Sequence, residues 1–211
     1  MSDELVFYHN PMSRGRIVHW MLEEVGTPYE VRLLDFERGE HKAPDFLRIN
    51  PMGKIPAIVH RGTVVTETAA ICAYLADAFP AAGLAPPADS AARGKYYRWL
   101  FFASGCVEPA IVDRLFERPA PPQPGVIGYG TYEQTLDALE NAIAPGPFLL
   151  GETFSAADVY VASSVGWAMM TKAIEPRAAF EAYHERCTAR PAAQRIREQN
   201  ERFAEQLKSR A

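Results

Sequence analysis

The fold is decided by residues 50–71: Asn50-Pro51-Met52-Gly53-Lys54-Ile55-Pro56-Ala57 runs through Ile58-Val59-His60-Arg61-Gly62-Thr63-Val64-Val65 into Thr66-Glu67-Thr68-Ala69-Ala70-Ile71. Asn50-Pro51 stops whatever precedes it. Ala57-Ile58-Val59 and Thr63-Val64-Val65 are β-prone runs joined across His60-Arg61-Gly62, the pattern of a hairpin. A helix follows from about Thr68, with Ile71, Leu75 and Phe79 at i, i+4, i+8, and Pro80 closes it. Upstream, Leu5 to Tyr8 reads as a strand halted by Asn10-Pro11. A helix opens near Ser13 or Arg14, with Val18, Met21, Leu22 and Val25 on one stripe and Gly26 past its end. Tyr29 to Leu33 is a second strand and Pro44 to Ile49 a short helical turn. The order is β-α-β-α-β-β-α over residues 1–80.

Downstream the pattern changes. Pro80 to Ser90 (PAAGLAPPADS) is small and proline-rich, which places an inter-domain linker at 81–89. Beyond it no strand signal remains. Helices are expected at Ala91 to Phe116, Tyr132 to Ala144, Thr153 to Ala173 and Ala178 to Cys187. A last one runs from Pro191 through Ile196, Phe203 and Leu207, and a Pro/Gly loop spans Arg118 to Gly130. Residues 90–211 therefore read as an all-α domain. Ser155-Ala156-Ala157-Asp158 has capping-box spacing at the start of the uncharged core helix, so Asp158 reads as a folding residue.

Composition narrows the function classes. With 26 acidic and 22 basic side chains the net charge is −4, which argues against a basic face that tracks phosphates and hence against nucleic acid as a partner. The longest uncharged helical stretch, Val159 to Thr171, is shorter than the roughly 20 residues of a membrane span, so no membrane is expected. Met1 to Asn10 carries none of the blocks of a signal peptide, and the expected compartment is the cytoplasm. Cys72, Cys106 and Cys187 are far apart and read as plain buried thiols; the five histidines are dispersed, and no metal site is expected.

Local chemistry is concentrated where the first strand feeds the first helix. Tyr8-His9-Asn10-Pro11-Met12-Ser13-Arg14-Gly15-Arg16 brings backbone N–H groups and a hydroxyl to one point, which favours an anion; equally, Ser13 is an N-cap and no more.

The 50–57 and 66–71 segments resemble the glutathione-binding segments of the glutathione S-transferase family. With Ser13-Arg14-Gly15-Arg16, Ser155 to Asp158 and the helical second half, the resemblance spans essentially the whole chain. It implies an α/β thioredoxin-like N-terminal domain, an all-α C-terminal domain and a homodimer. It also implies a cis bond at Ile55-Pro56, with the N–H and C=O of Ile55 left to pair with the cysteinyl backbone of glutathione. By the same likeness Thr68 binds the γ-glutamyl carboxylate at a helix N-terminus and Glu67 the adjacent ammonium, Thr standing where the family usually has Ser. The glycyl carboxylate falls to Lys54, with His41 and Lys42 at the spacing of theta-like members. Without a ligand, Pro56 is a turn proline, Thr66 an N-cap, and His41 and Lys42 part of a solvated loop.

The family activates the glutathione thiol near the first helix. A thiol with a pKa near 8.5 is a few per cent ionised at neutral pH, and a depression of about two units, worth about 2.7 kcal/mol, makes most of it thiolate. Ser13 is the candidate donor to sulfur. Counting back from Arg16, Asn10 occupies the position of the catalytic Tyr in members with an RGR sequence, so it assists or replaces Ser13, while Tyr8 belongs to the strand. No cysteine lies there, which disfavours members working through a mixed disulfide. The electrophile pocket is expected from the second domain, at Phe102 and Trp167, both of which also read as core or dimer contacts. The implied activity is a serine-type transferase that conjugates glutathione to hydrophobic electrophiles. The alternatives are a dehalogenase, isomerase or peroxidase using the same thiolate, or a non-catalytic glutathione- or partner-binding protein.

Overall fold

The hairpin forms as its sequence suggests: β3 (Ala57–His60) and β4 (Thr63–Thr66) pair antiparallel around a two-residue Arg61-Gly62 turn, with φ of 52° and 78°. Positive φ at both central residues matches the twist of the flanking strands. In this computed structural model, which describes residues 4–119 and 123–210, β3 also pairs antiparallel with β1 (Leu5–His9), and β1 pairs parallel with β2 (Glu30–Leu33). The sheet order is β2-β1-β3-β4. Residues 1–3 of the opening segment and 120–122 of the Pro/Gly loop lie outside the described residues.

A parallel pair needs a crossover, and α1 (Gly15–Val25) supplies it, ending at Gly26, whose N–H returns to the Leu22 carbonyl. α2 (Pro44–Leu47) and α3 (Thr68–Ala78) complete the thioredoxin-like part. Alternation along β1 sorts its side chains between two faces. Phe7 and His9 stack at 4.8 Å and meet His19 of α1, whereas Tyr8 lies 5.4 Å from Phe46 of α2. On the α2 side, Phe46, Ile55 and Ala57 form a small buried cluster with Tyr8, Leu34 and Ile49 packed on it. That cluster anchors the segment just before β3.

The second part is helical throughout: α4 (Ala92–Phe102), α5 (Glu108–Leu115), α6 (Tyr132–Ile143), α7 (Ala156–Met170) and α8 (Ala178–Thr188). The single helix expected over 91–116 is interrupted by a π-helical turn at Ala103–Val107. The cause is Pro109, which has no N–H for the Gly105 carbonyl and whose ring would strike it; the Glu108 N–H instead reaches back to Ala103. α7 begins three residues later than expected. Its Asp158 is fully buried and accepts from Ser155 N (2.9 Å), Ser155 Oγ (2.8 Å), Leu149 N (2.9 Å) and the Tyr183 hydroxyl (2.9 Å). Burial pushes the Asp158 carboxyl up, against the pull of these four donors.

By their contacts the residues form two compact units, one up to Ala82 together with those from Arg190 onward, the other Gly83–Ala189. The last helix, α9 (Pro191–Lys208), counted with the helical half in the sequence, therefore sits in the first unit. Charged pairs tie it there: Arg190 grips both carboxylate oxygens of Glu24 at 2.8 and 2.7 Å, and Arg195 meets Glu23 at 2.9 Å.

Candidate functional site

Register gathers the sequence's candidate residues at one end of the sheet. Tyr8 is opposite Ala57, and Ala57 is opposite Thr66. Residues 10–14 after β1, residues 54–56 before β3 and Glu67 after β4 therefore emerge side by side. Because β2 is parallel to β1, the segment from Leu34 onward leaves from the same end.

Two identical tripeptides, Asn10-Pro11-Met12 and Asn50-Pro51-Met52, shape this edge in the same way. Asn10 Oδ1 accepts the Met12 N–H at 2.8 Å while its amide donates to the Leu34 carbonyl at 2.7 Å. Asn50 Oδ1 accepts the Met52 N–H at 3.1 Å while its amide donates to the Lys54 carbonyl at 2.8 Å. Both asparagines are 3% exposed, whereas Met12 and Met52 are 78% and 65% exposed. Each Asx turn thus buries its amide and turns the chain outward.

The first turn presents Ser13, whose half-buried hydroxyl donates to the Asn10 carbonyl at 2.7 Å and accepts the Gly15 N–H at 2.9 Å. Of the two candidates near α1, Asn10 has both ends of its side chain committed to the loop. Tyr8 lies on the α2 face, where Arg32 approaches its hydroxyl at 3.4 Å.

The second turn leads to Ile55-Pro56, which is cis, as the resemblance implies. Among the described residues nothing engages the N–H or C=O of Ile55, the ammonium of Lys54, the carboxylate of Glu67 or the hydroxyl of Thr68. Glu67 is held at φ 65° and ψ 119°, an unusual backbone for a residue with a Cβ, and α3 opens immediately after it with no side-chain cap. Its first N–H groups are therefore unshielded.

His41 and Lys42 follow a turn organised by buried Asp35, which accepts from Glu37 N and Arg38 N at 2.8 and 3.3 Å. Lys42 Nζ donates to the Met52 carbonyl at 2.9 Å. A Cβ on Gly53, at φ 59°, would stand 2.7 Å from the His41 carbonyl, so glycine is required there. The His41 ring packs edge-on to Phe36 at 4.9 Å.

In the second unit, Phe102 meets Trp99 edge to face at 5.4 Å, and Trp167 on α7 is 36% exposed. Cys106 donates to the Gly128 carbonyl at 3.4 Å, while Cys72 and Cys187 are buried, with the Cys72 thiol pushed up to about 12 by burial. Among the described residues no group of three His, Cys, Asp or Glu side chains is gathered for a metal ion, and no helix is long and apolar enough to cross a membrane. The roles of Asn50 and Asp35 did not show in the sequence; for Asn50 the repeated Asn-Pro-Met was the available signal.

Residues 4–77 match the family model for the glutathione S-transferase N-terminal domain, and residues 109–205 that for the C-terminal domain. Glutathione S-transferase 3 of Zea mays is 32% identical over 209 residues, covering 90% of this chain and 92% of its own. The chain belongs to the glutathione S-transferase family. Another relative, the disulfide-bond oxidoreductase YfcG of Escherichia coli, is 29% identical and covers 88% of this chain and 90% of its own length. Among solved structures, a glutathione transferase homologue from Sulfitobacter with bound glutathione superposes with a TM-score of 0.75 at 27% identity, covering 94% of this chain and 99% of that one. As a glutathione S-transferase family member, the chain carries Ser13, Lys54, Ile55, Glu67 and Thr68 within its N-terminal domain, with Phe102 and Trp167 outside it.

Proposed function

We propose that this chain is a serine-type glutathione transferase that adds the glutathione sulfur to hydrophobic electrophiles. One observation carries the reading: the Ser13 hydroxyl opens from the same sheet edge as the unengaged groups of Lys54, Ile55, Glu67 and Thr68. Their chemistry matches an extended peptide with an anionic group at each end. Ile55 offers one donor and one acceptor to a peptide backbone. Thr68 and the uncapped start of α3 receive a carboxylate, and Glu67 an ammonium. Lys54 answers the far carboxylate, with His41 beside it.

Ser13 has one lone pair occupied by the Gly15 N–H, and its proton is free to turn from the Asn10 carbonyl toward a sulfur. A charge-assisted hydrogen bond and the positive end of α1 both favour the thiolate. Asn10 holds the turn that presents Ser13. Glutathione itself supplies the nucleophile; this chain's part is to bind it, keep it ionised and let it meet the acceptor. Phe102 and Trp167 are proposed acceptor contacts, and the working assembly a cytoplasmic homodimer without metal.

Calorimetric titration with glutathione, followed by conjugation assays on a panel of aryl halides, epoxides and enones, tests the reading. Saturable binding with turnover of at least one electrophile class is expected. Binding without turnover would leave a glutathione-binding protein, and reduction of disulfides in place of conjugation would place the activity with that of YfcG.

A further inference from the structure

Behind Ser13, on the interior side of the first turn of α1, stands His9. It is fully buried at the end of β1 between Phe7, His19 and Phe203. Its Nε2 is 2.7 Å from Asn200 Oδ1 on α9, and the Asn200 amide nitrogen donates to the Ile196 carbonyl at 2.7 Å. That network assigns the proton to Nε2 and leaves a bare lone pair on Nδ1. Nδ1 is buried and has no hydrogen-bond partner. Burial, with the nearby His19 and Arg16, lowers the His9 pKa to about 3 against the pull of Asn200, so the ring is neutral.

The bare edge is aimed at Gly15. A Cβ on Gly15 would stand 2.4 Å from His9 Nδ1 and 2.9 Å from Ser13 Oγ, so the imidazole occupies the notch that the missing side chain leaves. Leaving a buried acceptor unpaired carries a free-energy cost. The arrangement is therefore not the cheapest way to fill that space. What it does is seat the Gly15 backbone, and the Gly15 N–H is the group that holds Ser13 Oγ at 2.9 Å.

We propose that His9 is a positioning residue for Ser13 and that Asn200 sets it, so that the C-terminal helix belongs to the thiol-activating machinery. This rests on the serine-type reading above. Asn200 locks the ring; the ring seats Gly15; Gly15 fixes the oxygen of Ser13, leaving only the direction of its proton to choose between the Asn10 carbonyl and sulfur.

The test is a double-mutant cycle on the full chain, read as the pKa of the bound glutathione thiol from its thiolate absorbance, with thermal midpoints recorded alongside. Asn200→Ala is expected to raise that pKa by about one unit, a tenfold loss of thiolate below it, and to add nothing further in the Ser13→Ala background. An Asn200→Ala protein with the wild-type thiol pKa, or a shift that adds in full to that of Ser13→Ala, overturns the proposal. Where Ser13→Ala raises the pKa and Asn200→Ala does not, only the His9 relay fails. Where Ser13→Ala itself leaves the pKa unchanged, the serine-type reading fails and takes the relay with it. Should Asn200→Ala not fold, His9→Gln, which keeps an amide within reach of Asn200 but removes the Nδ1 edge, enters the same cycle with the same expected rise, and a wild-type pKa overturns the proposal.

Discussion

The Ser13 hydroxyl and the carbonyl of Asn10 are 2.7 Å apart, and the Asn10 amide, from within the same turn, grips Leu34 at 2.7 Å. Presentation of the hydroxyl and closure of the sheet edge are thus one structural event. Asn10→Ala removes a buried amide with two partners, and a loss of about 1–3 kcal/mol is expected. Urea unfolding measures it. The thiolate band of bound glutathione is expected to weaken less in Asn10→Ala than in Ser13→Ala; equal loss would move the sulfur contact to Asn10.

Glu67 sits at φ 65° with an unengaged carboxylate. Strain of this kind costs on the order of 1–3 kcal/mol. Glu67→Gly should therefore raise the unfolding free energy by about 1 kcal/mol after the entropy cost of glycine, while weakening glutathione binding roughly tenfold. Melting curves and calorimetry read the two signs separately. A variant that loses stability and keeps its affinity would assign Glu67 a purely structural role.

His9 and His19 share one buried aromatic cluster, and burial lowers both pKa values, that of His9 to about 3. The unfolded chain takes up protons below about pH 6.5 that the folded chain refuses, so stability is lost as pH falls from there toward the folded pKa values. Each histidine contributes a slope of up to about 1.4 kcal/mol per pH unit. Midpoints of urea unfolding are expected to drop between pH 7 and pH 5, and less so in His9→Gln. Equal wild-type midpoints at the two pH values would mean that the rings are charged in the folded protein.

Asp158 answers four donors from a fully buried position. Asp158→Ala strands them, and a loss on the order of 3 kcal/mol is expected. In whatever protein remains folded, the bound thiol pKa should match wild type; a shifted value would give Asp158 a part in the chemistry.

The sequence was informative where a signal is local. The hairpin at 57–66, the box at Ser155 and Asp158, and the Gly26 stop all depend on residues within a few positions of one another. The partners of α9 were not legible, because Arg190, Arg195 and Asn200 find Glu24, Glu23 and His9 at the other end of the chain, and no periodicity encodes a partner that distant. In the sequence Asn10 and Asn50 are stops before proline; that each also ties a loop to a neighbouring carbonyl depends on Leu34 and Lys54 being in place. The break at Ala103–Val107 was within reach, since Pro109 inside a helical run always leaves one carbonyl without its donor.

Whether Ser13 keeps a bound thiol ionised is read most directly from the spectrophotometric pKa of glutathione bound to wild type and to Ser13→Ala. A wild-type value about two units below that of the free thiol is expected, with a return most of the way in Ser13→Ala; two units correspond to about 2.7 kcal/mol. A wild-type complex with an unshifted thiol, or a Ser13→Ala complex with the full depression, would contradict it.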